Sequence, residues 1–114
     1  MLCASFELEG QEFFAINGGP QFTFNEAVSF LIRCDSQEEV DFYWDRLLRD
    51  GGTPSQCGWL KDRFGLSWQV VPNLLTRLTS DPDRQRAGRA VEAMLKMSKL
   101  DCAALQAAFD QEPG

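Results

Sequence analysis

The residues best suited to meeting a small molecule stand close together between positions 59 and 69. Trp59, Phe64 and Trp68 surround Lys61, Asp62 and Gln69, giving aromatic surfaces with a few polar tips. That mixture describes a small-molecule pocket, in which apolar walls supply contact and sparse polar groups supply orientation. It describes an ordinary aromatic core equally well, and Lys61 with Asp62 also reads as a solvated pair beside a turn. Cys57 adds a thiol, but a nucleophilic thiolate needs a cationic or imidazole neighbour to lower its pKa. The chain contains no histidine. That removes the serine triad, the usual general base near neutral pH, and every metal site that needs imidazole. The four cysteines, at 3, 34, 57 and 102, form no CxxC pair. Four reduced thiols in a cytoplasmic protein are expected, not a zinc cluster.

The elements that must position these groups follow from hydrophobic period and turn chemistry. Phe6 and Leu8 alternate with Glu7 and Glu9, Gly10 turns the chain, and residues 12–16 return, which predicts a hairpin. Asn17-Gly18-Gly19-Pro20 ends it; with no helix following, the glycines are a chain reversal and not a phosphate cradle. Residues 28–34 read as a buried strand. Ser36-Gln37-Glu38-Glu39 is a capping box, and it opens a helix with Val40, Tyr43, Trp44, Leu47 and Leu48 on one stripe. The carboxylates of Glu38, Glu39 and Asp41 are accounted for by that cap and by solvation. Asp50-Gly51-Gly52 stops the helix. Strands are expected at 56–61 and 66–71 around a turn containing Gly65, with Pro72 closing the second. A short helix over 73–79 follows. Asp81-Pro82 then predicts a helix running to about Ser98, with Ala87, Val91, Met94 and Leu95 inward and Arg84, Arg86 and Arg89 facing water. Asp101 caps a last helix carrying Cys102, Leu105 and Phe109, and residues 111–114 are expected to fray. The order β-β-β-α-β-β with a helical tail is an α+β domain.

One chain of 114 residues is the size of one domain. Its net charge of −6 argues against nucleic acid as a partner. The imbalance is local: residues 1–50 hold 10 acids and 3 bases, the remainder 7 and 8. No run approaches 18 apolar residues, so no membrane span is expected. Residues 1–10 carry acids where a signal peptide needs bases. No glycine-rich strand-to-helix turn marks a dinucleotide or S-adenosylmethionine site.

The strings FELEGQEFFAINGGPQFTFNEAVSF and CGWLKDRFGLSWQVVP, followed by a helix ending AMLKMSKLD, resemble the PhnB-like proteins. These are the demethylubiquinone 3-methyltransferase-like domains of the glyoxalase/bleomycin-resistance/dioxygenase group, the vicinal oxygen chelate proteins. The resemblance runs from Phe6 to about Phe109. It implies a glyoxalase-like fold of βαβββ modules: residues 28–71 as a complete second module, residues 1–17 as the hairpin remnant of a first, and residues 73–110 as a helical extension, all within one domain over 1–114. It also implies that two positions of the group's metal site fall on Ala27 and Gln69. Neither is a charged or imidazole ligand, so no metal and no cofactor is expected.

The hairpin strand over 11–17 lacks a partner on one side, and unpaired strand edges are normally covered, so a homodimer is expected. Three functional readings stay open. The first is a binding module whose aromatic cup holds a small apolar or quinone-like molecule, with Asn17, Phe22, Phe24, Cys57, Trp59, Lys61, Phe64, Trp68 and Gln69 as candidate lining residues. The second is an enzyme of the group, a methyltransferase or a metal-dependent lyase or dioxygenase. The third is an interaction domain with no small-molecule role.

Overall fold

A computed structural model describes residues 3–111. The chain begins with β1 (Cys3–Leu8) and β2 (Gln11–Ile16), an antiparallel hairpin. Glu9 (φ 52°) and Gly10 (φ 78°) both sit in the left-handed region. Two positive φ angles in a two-residue loop match the twist of the flanking strands and fix their register. That register sets Phe6 opposite Phe13, with rings stacked at 5.5 Å.

A second sheet is built from β3 (Ser29–Cys34), β4 (Thr53–Pro54), β5 (Trp59–Lys61) and β6 (Ser67–Pro72) in the order β3-β6-β5-β4. β3 and β6 are parallel and the other pairs antiparallel. Parallel neighbours need a crossover, and α1 (Gln37–Leu48) begins it directly after β3. The result is one βαβββ unit with a separate hairpin and no closed barrel. The α+β glyoxalase-type fold read from the sequence is the fold observed.

Ser36 caps α1 by accepting from the Glu39 amide at 3.2 Å. The Glu39 carboxylate reaches one residue further back than a capping box requires, accepting from the Asp35 amide at 3.3 Å. The stripe on α1 buries Val40 and Trp44 against Cys34, Leu60 and Val70 of the sheet.

The strand expected over 56–61 is half that length. Cys57 (φ 59°) and Gly58 (φ 85°) leave the extended region and turn their amides away from the sheet, to Met97 O (2.8 Å) and Ser98 O (2.9 Å). A Cβ on Gly58 would lie 2.9 Å from Leu100 Cδ1 and 3.0 Å from the Val70 carbonyl oxygen. Only glycine combines that φ with that closeness.

Three helices complete the chain: α2 (Asn73–Thr79), α3 (Arg84–Leu95) and α4 (Cys102–Asp110). Their core joins Leu75, Leu78, Ala90, Leu100, Leu105 and Phe109. Two expectations for α3 are corrected. Its cap is Asp83, which accepts from the amides of Gln85 and Arg86, while Asp81 turns the chain ahead of it. Arg89 does not face water: its guanidinium donates to the Ala108 and Phe109 carbonyls (3.1 and 3.2 Å) and closes the end of α4. Leu95, expected inward, is exposed, because the helix ends there. Of the tail expected to fray, residues 112–114 lie outside the described residues.

Gln37 ties the two cores together. Its Nε2 donates to Leu100 O (3.1 Å) and to Asp41 Oδ1 (3.0 Å), and its Oε1 accepts from the Cys102 amide (2.7 Å). The Gln37 amide, followed by the Lys99 ammonium, holds the Asp41 carboxyl below the usual carboxylate range. Among the described residues no helix is long and apolar enough to cross a membrane.

Two stability outcomes are expected. Gly58→Ala should cost about 2–4 kcal/mol, from a strained φ together with overpacking against Leu100. Gly10→Ala, at an equally positive φ but with nothing within 4 Å, should cost only about 1 kcal/mol. Urea unfolding of both variants checks the difference, and equal losses would remove the packing argument. Gln37→Ala orphans a Cys102 amide and a Leu100 carbonyl and should cost about 1–3 kcal/mol, read in the same titration.

Candidate functional site

Strand alternation divides the βαβββ sheet into two chemically different faces. Phe30, Ile32, Leu60, Trp68 and Val70 point to the side covered by α1, as the burial of Leu60 and Val70 against Val40 and Trp44 requires. Ser29, Leu31, Trp59, Lys61, Ser67 and Gln69 point to the other side.

α1 covers only part of the first face. Beyond it, the aromatic face of the hairpin approaches the sheet through a ladder of rings: Phe6 on Phe13, Phe13 edge-on to Phe30 (5.9 Å), and Phe30 tilted against Trp68 (5.4 Å). This contact encloses a cavity of about 360 Å³ lined by Phe6, Leu8, Glu9, Phe13, Phe30, Leu31, Ile32, Leu66 and Trp68. Glu9 is its single charged lining residue. A wider groove of about 670 Å³ continues from it toward α1, sharing Leu8, Glu9, Leu31, Ile32 and Trp68 and adding Arg33, Tyr43 and Leu47.

Trp68 is held by the turn that precedes it. Asp62 Oδ2 accepts from the indole Nε1 at 2.9 Å, while Asp62 Oδ1 accepts from the amides of Phe64 (2.9 Å) and Leu66 (3.1 Å). One carboxylate therefore shapes the turn and sets the ring plane. Asp62 is not a partner of Lys61, whose ammonium pairs with Glu26 from the preceding loop. That pairing holds the Glu26 carboxyl below its ordinary range.

The polar side of the sheet carries neutral oxygens. Gln69 Nε2 donates to Ser29 Oγ at 2.9 Å, and Ser67, 1% exposed, has a hydroxyl with no hydrogen-bond partner. Ala27 offers no side-chain donor; its amide donates to Asn25 Oδ1. Among the described residues no three His, Cys, Asp or Glu side chains converge on one point. Serine hydroxyls and a primary amide are weak neutral ligands, so the donor set at the two positions implied by the resemblance does not fit a divalent ion.

The nine candidate residues are thus dispersed. Trp68 lines the cavity. Trp59, Lys61 and Gln69 stand on the opposite face of the sheet. Phe64 is 66% exposed beneath the Arg63 guanidinium. Phe22, at 90% exposure, and Phe24 lie in the loop after the hairpin together with exposed Asn17, and none of the three lines the cavity. Cys57 is half-buried in the turn against the helices. Burial, with Glu39 and Asp35 nearby, pushes the other core thiol, Cys34, up to about 11, which leaves it protonated and unreactive at neutral pH. The cavity walls that sequence reasoning missed are Phe6, Leu8, Phe13, Phe30, Leu31, Ile32 and Leu66. Their signal was present: a two-residue turn at Glu9-Gly10 necessarily places Phe6 and Phe13 on one face.

Comparison with known proteins matches the same part of the chain. The 3-demethylubiquinone-9 3-methyltransferase family profile matches residues 1–71, ending within β6. A solved structure from Bacillus cereus, a PhnB protein described as a candidate 3-demethylubiquinone-9 3-methyltransferase, is similar at 34% identity with a TM-score of 0.56. The similarity covers 62% of this chain, which spans 64% of that one. No curated protein matches. A family profile over more than half the chain, agreeing with a structural neighbour of the same kind, places this chain in the PhnB-like 3-demethylubiquinone-9 3-methyltransferase family.

Proposed function

We propose that this chain is a cytoplasmic binding module that holds a small, apolar, quinone-like molecule between the hairpin and the βαβββ sheet, without a metal. The observation that carries the reading is the cavity of about 360 Å³ walled by Phe6, Phe13, Phe30 and Trp68 with one carboxylate at its rim. Its volume lies within the range of ligand sites, and its lining has their usual character, mostly apolar with a sparse polar group. A flat aromatic ring suits such walls through offset stacking and edge contacts. The family name, which carries a demethylated quinone, is consistent with that shape of ligand.

The alternative is an enzyme of the family. Methyl transfer would require stoichiometric binding of S-adenosylmethionine and a base near the accepting phenol; lyase or dioxygenase chemistry would require a divalent ion. This reading draws on the family name, not on a constellation of side chains. Calorimetric titration with S-adenosylmethionine, and separately with zinc or nickel, separates it from the binding reading, which expects flat heats in both.

A short-chain benzoquinone should quench part of the tryptophan emission saturably, and Phe13→Asp, which puts a second carboxylate into the wall, should weaken it at least tenfold. Linear, unsaturable quenching that is the same in both proteins would overturn the cavity as the site. Asp62→Ala should cost about 1–3 kcal/mol in urea unfolding, because two turn amides and an indole lose their acceptor, and should weaken the same ligand several-fold. Trp68→Phe keeps an aromatic wall and should bind within about threefold of wild type. If Asp62→Ala bound the quinone unchanged, Asp62 would be a turn residue only.

A further inference from the structure

Large apolar side chains are not left in water evenly along this chain. Of twelve that are exposed among the described residues, nine fall between Phe6 and Leu31, on the hairpin, the loop after it and β3; Phe42, Phe64 and Leu95 are the others. An aromatic side chain offers roughly 150–250 Å², so at these exposures the nine leave on the order of 900 Å² open. A monomer's largest apolar patch is usually about 300–600 Å², and a stable protein–protein contact removes about 800 Å² from each partner. The open surface is thus on the scale of one half of an interface.

The sheet edges point to the same place. The βαβββ sheet ends on β4 at one side and on β3 at the other. β4 is two residues long and contains Pro54, the usual protection of an edge against further pairing. β3 has neither device: it is six residues long, without proline, and Arg33 is its single charge. Its outer backbone groups have no strand beside them among the described residues. An unprotected edge flanked by exposed Val28, Phe30 and Leu31 is a surface prepared for pairing.

We infer that this band is the interface between two copies of the chain, joined about a two-fold axis with the free edge of β3 at its centre. A second copy meets the requirement that the partner offer the same chemistry, because in an isologous contact each surface is its own complement. The hairpin acids Glu7, Glu9 and Glu12 and the β3 guanidinium of Arg33 are available on both sides for charge pairing at the rim. The inference does not depend on a ligand.

Light scattering coupled to gel filtration should give a mass twice the 12.9 kDa of the chain at micromolar concentration. The double variant Ile16→Lys plus Leu31→Lys, at positions 69% and 47% exposed, should give the single-chain mass with an unchanged circular dichroism spectrum. Leu95→Lys, at an equally exposed leucine outside the band, should stay a dimer. A wild-type mass of one chain would overturn the inference, as would open-ended assembly or a double variant that keeps the wild-type mass. A double variant that loses its fold is replaced by Leu31→Glu alone, scored on the same mass. Quinone titration of the monomeric variant reports separately on the cavity, so the two readings fail independently.

Discussion

Everything packed in this molecule meets on β6. Its two neighbours, parallel β3 and antiparallel β5, fix its backbone on both sides. Its alternate side chains then address different layers. Val70 closes the core under α1, Val71 packs against the helical cluster, and Trp68 faces the hairpin. A strand that is central in its sheet and contacted on both faces must be apolar almost throughout, and the run Trp68-Gln69-Val70-Val71-Pro72 has one polar exception, Gln69. The helices are joined to the same strand through the Gly58 turn: Val70 donates its amide to the Gly58 carbonyl (2.8 Å), while the Cys57 and Gly58 amides reach the segment after α3. One strand and one glycine turn therefore couple sheet, crossover helix and helical extension.

Where local chemistry was sufficient, the sequence was legible. The capping serine of α1, its apolar stripe, the glycine turn of the hairpin and the aspartate cap of α4 are all decided within a few residues, and each appears where expected. Misreadings fall where a distant residue decides. Cys57 and Gly58 look like strand, but a carbonyl forty residues away takes the Cys57 amide. Arg89 looks like a solvated helix arginine, but the carbonyls of α4 lie within its reach. The candidate site suffered from the same limit. Trp59 and Trp68 are close in sequence and similar in chemistry, yet the β5–β6 register sets Leu60, not Trp59, opposite Trp68 and sends the two indoles to opposite faces. Period alone could not say which of those faces would meet the hairpin.

The acidic excess of the first fifty residues coincides with their exposed apolar surface. On the outer face of the hairpin, Glu7 stands directly across from Glu12, beside the Ser5–Phe14 and Cys3–Ile16 pairs. Two like charges facing each other on a strand pair cost stability in the hairpin. They also make that face a poor template for indefinite sheet stacking, which is how natural sheets limit aggregation. A surface that is apolar at its centre and acidic at the hairpin favours a closed contact over an open-ended one.

The hairpin itself is the element whose position is least constrained by backbone bonds. A two-stranded ribbon is marginal alone, and this one belongs to a sheet of its own, reaching the rest of the molecule through the Phe13–Phe30 contact and its continuation to Trp68. Edge-to-face and tilted ring contacts contribute about 0.5–1.5 kcal/mol each beyond burial, comparable to the free energy of a small local opening. Anything that fills the space between Phe6, Phe13 and Trp68 touches both bodies at once. Its affinity for the docked arrangement then adds directly to the stability of that arrangement, since a ligand stabilises whichever state binds it. Asp62 enters this balance from the other side. By fixing the Trp68 ring through Nε1, it removes one rotational freedom that docking or binding would otherwise have to order. The cavity and the seating of the hairpin are thus one equilibrium, governed by the same four aromatic rings.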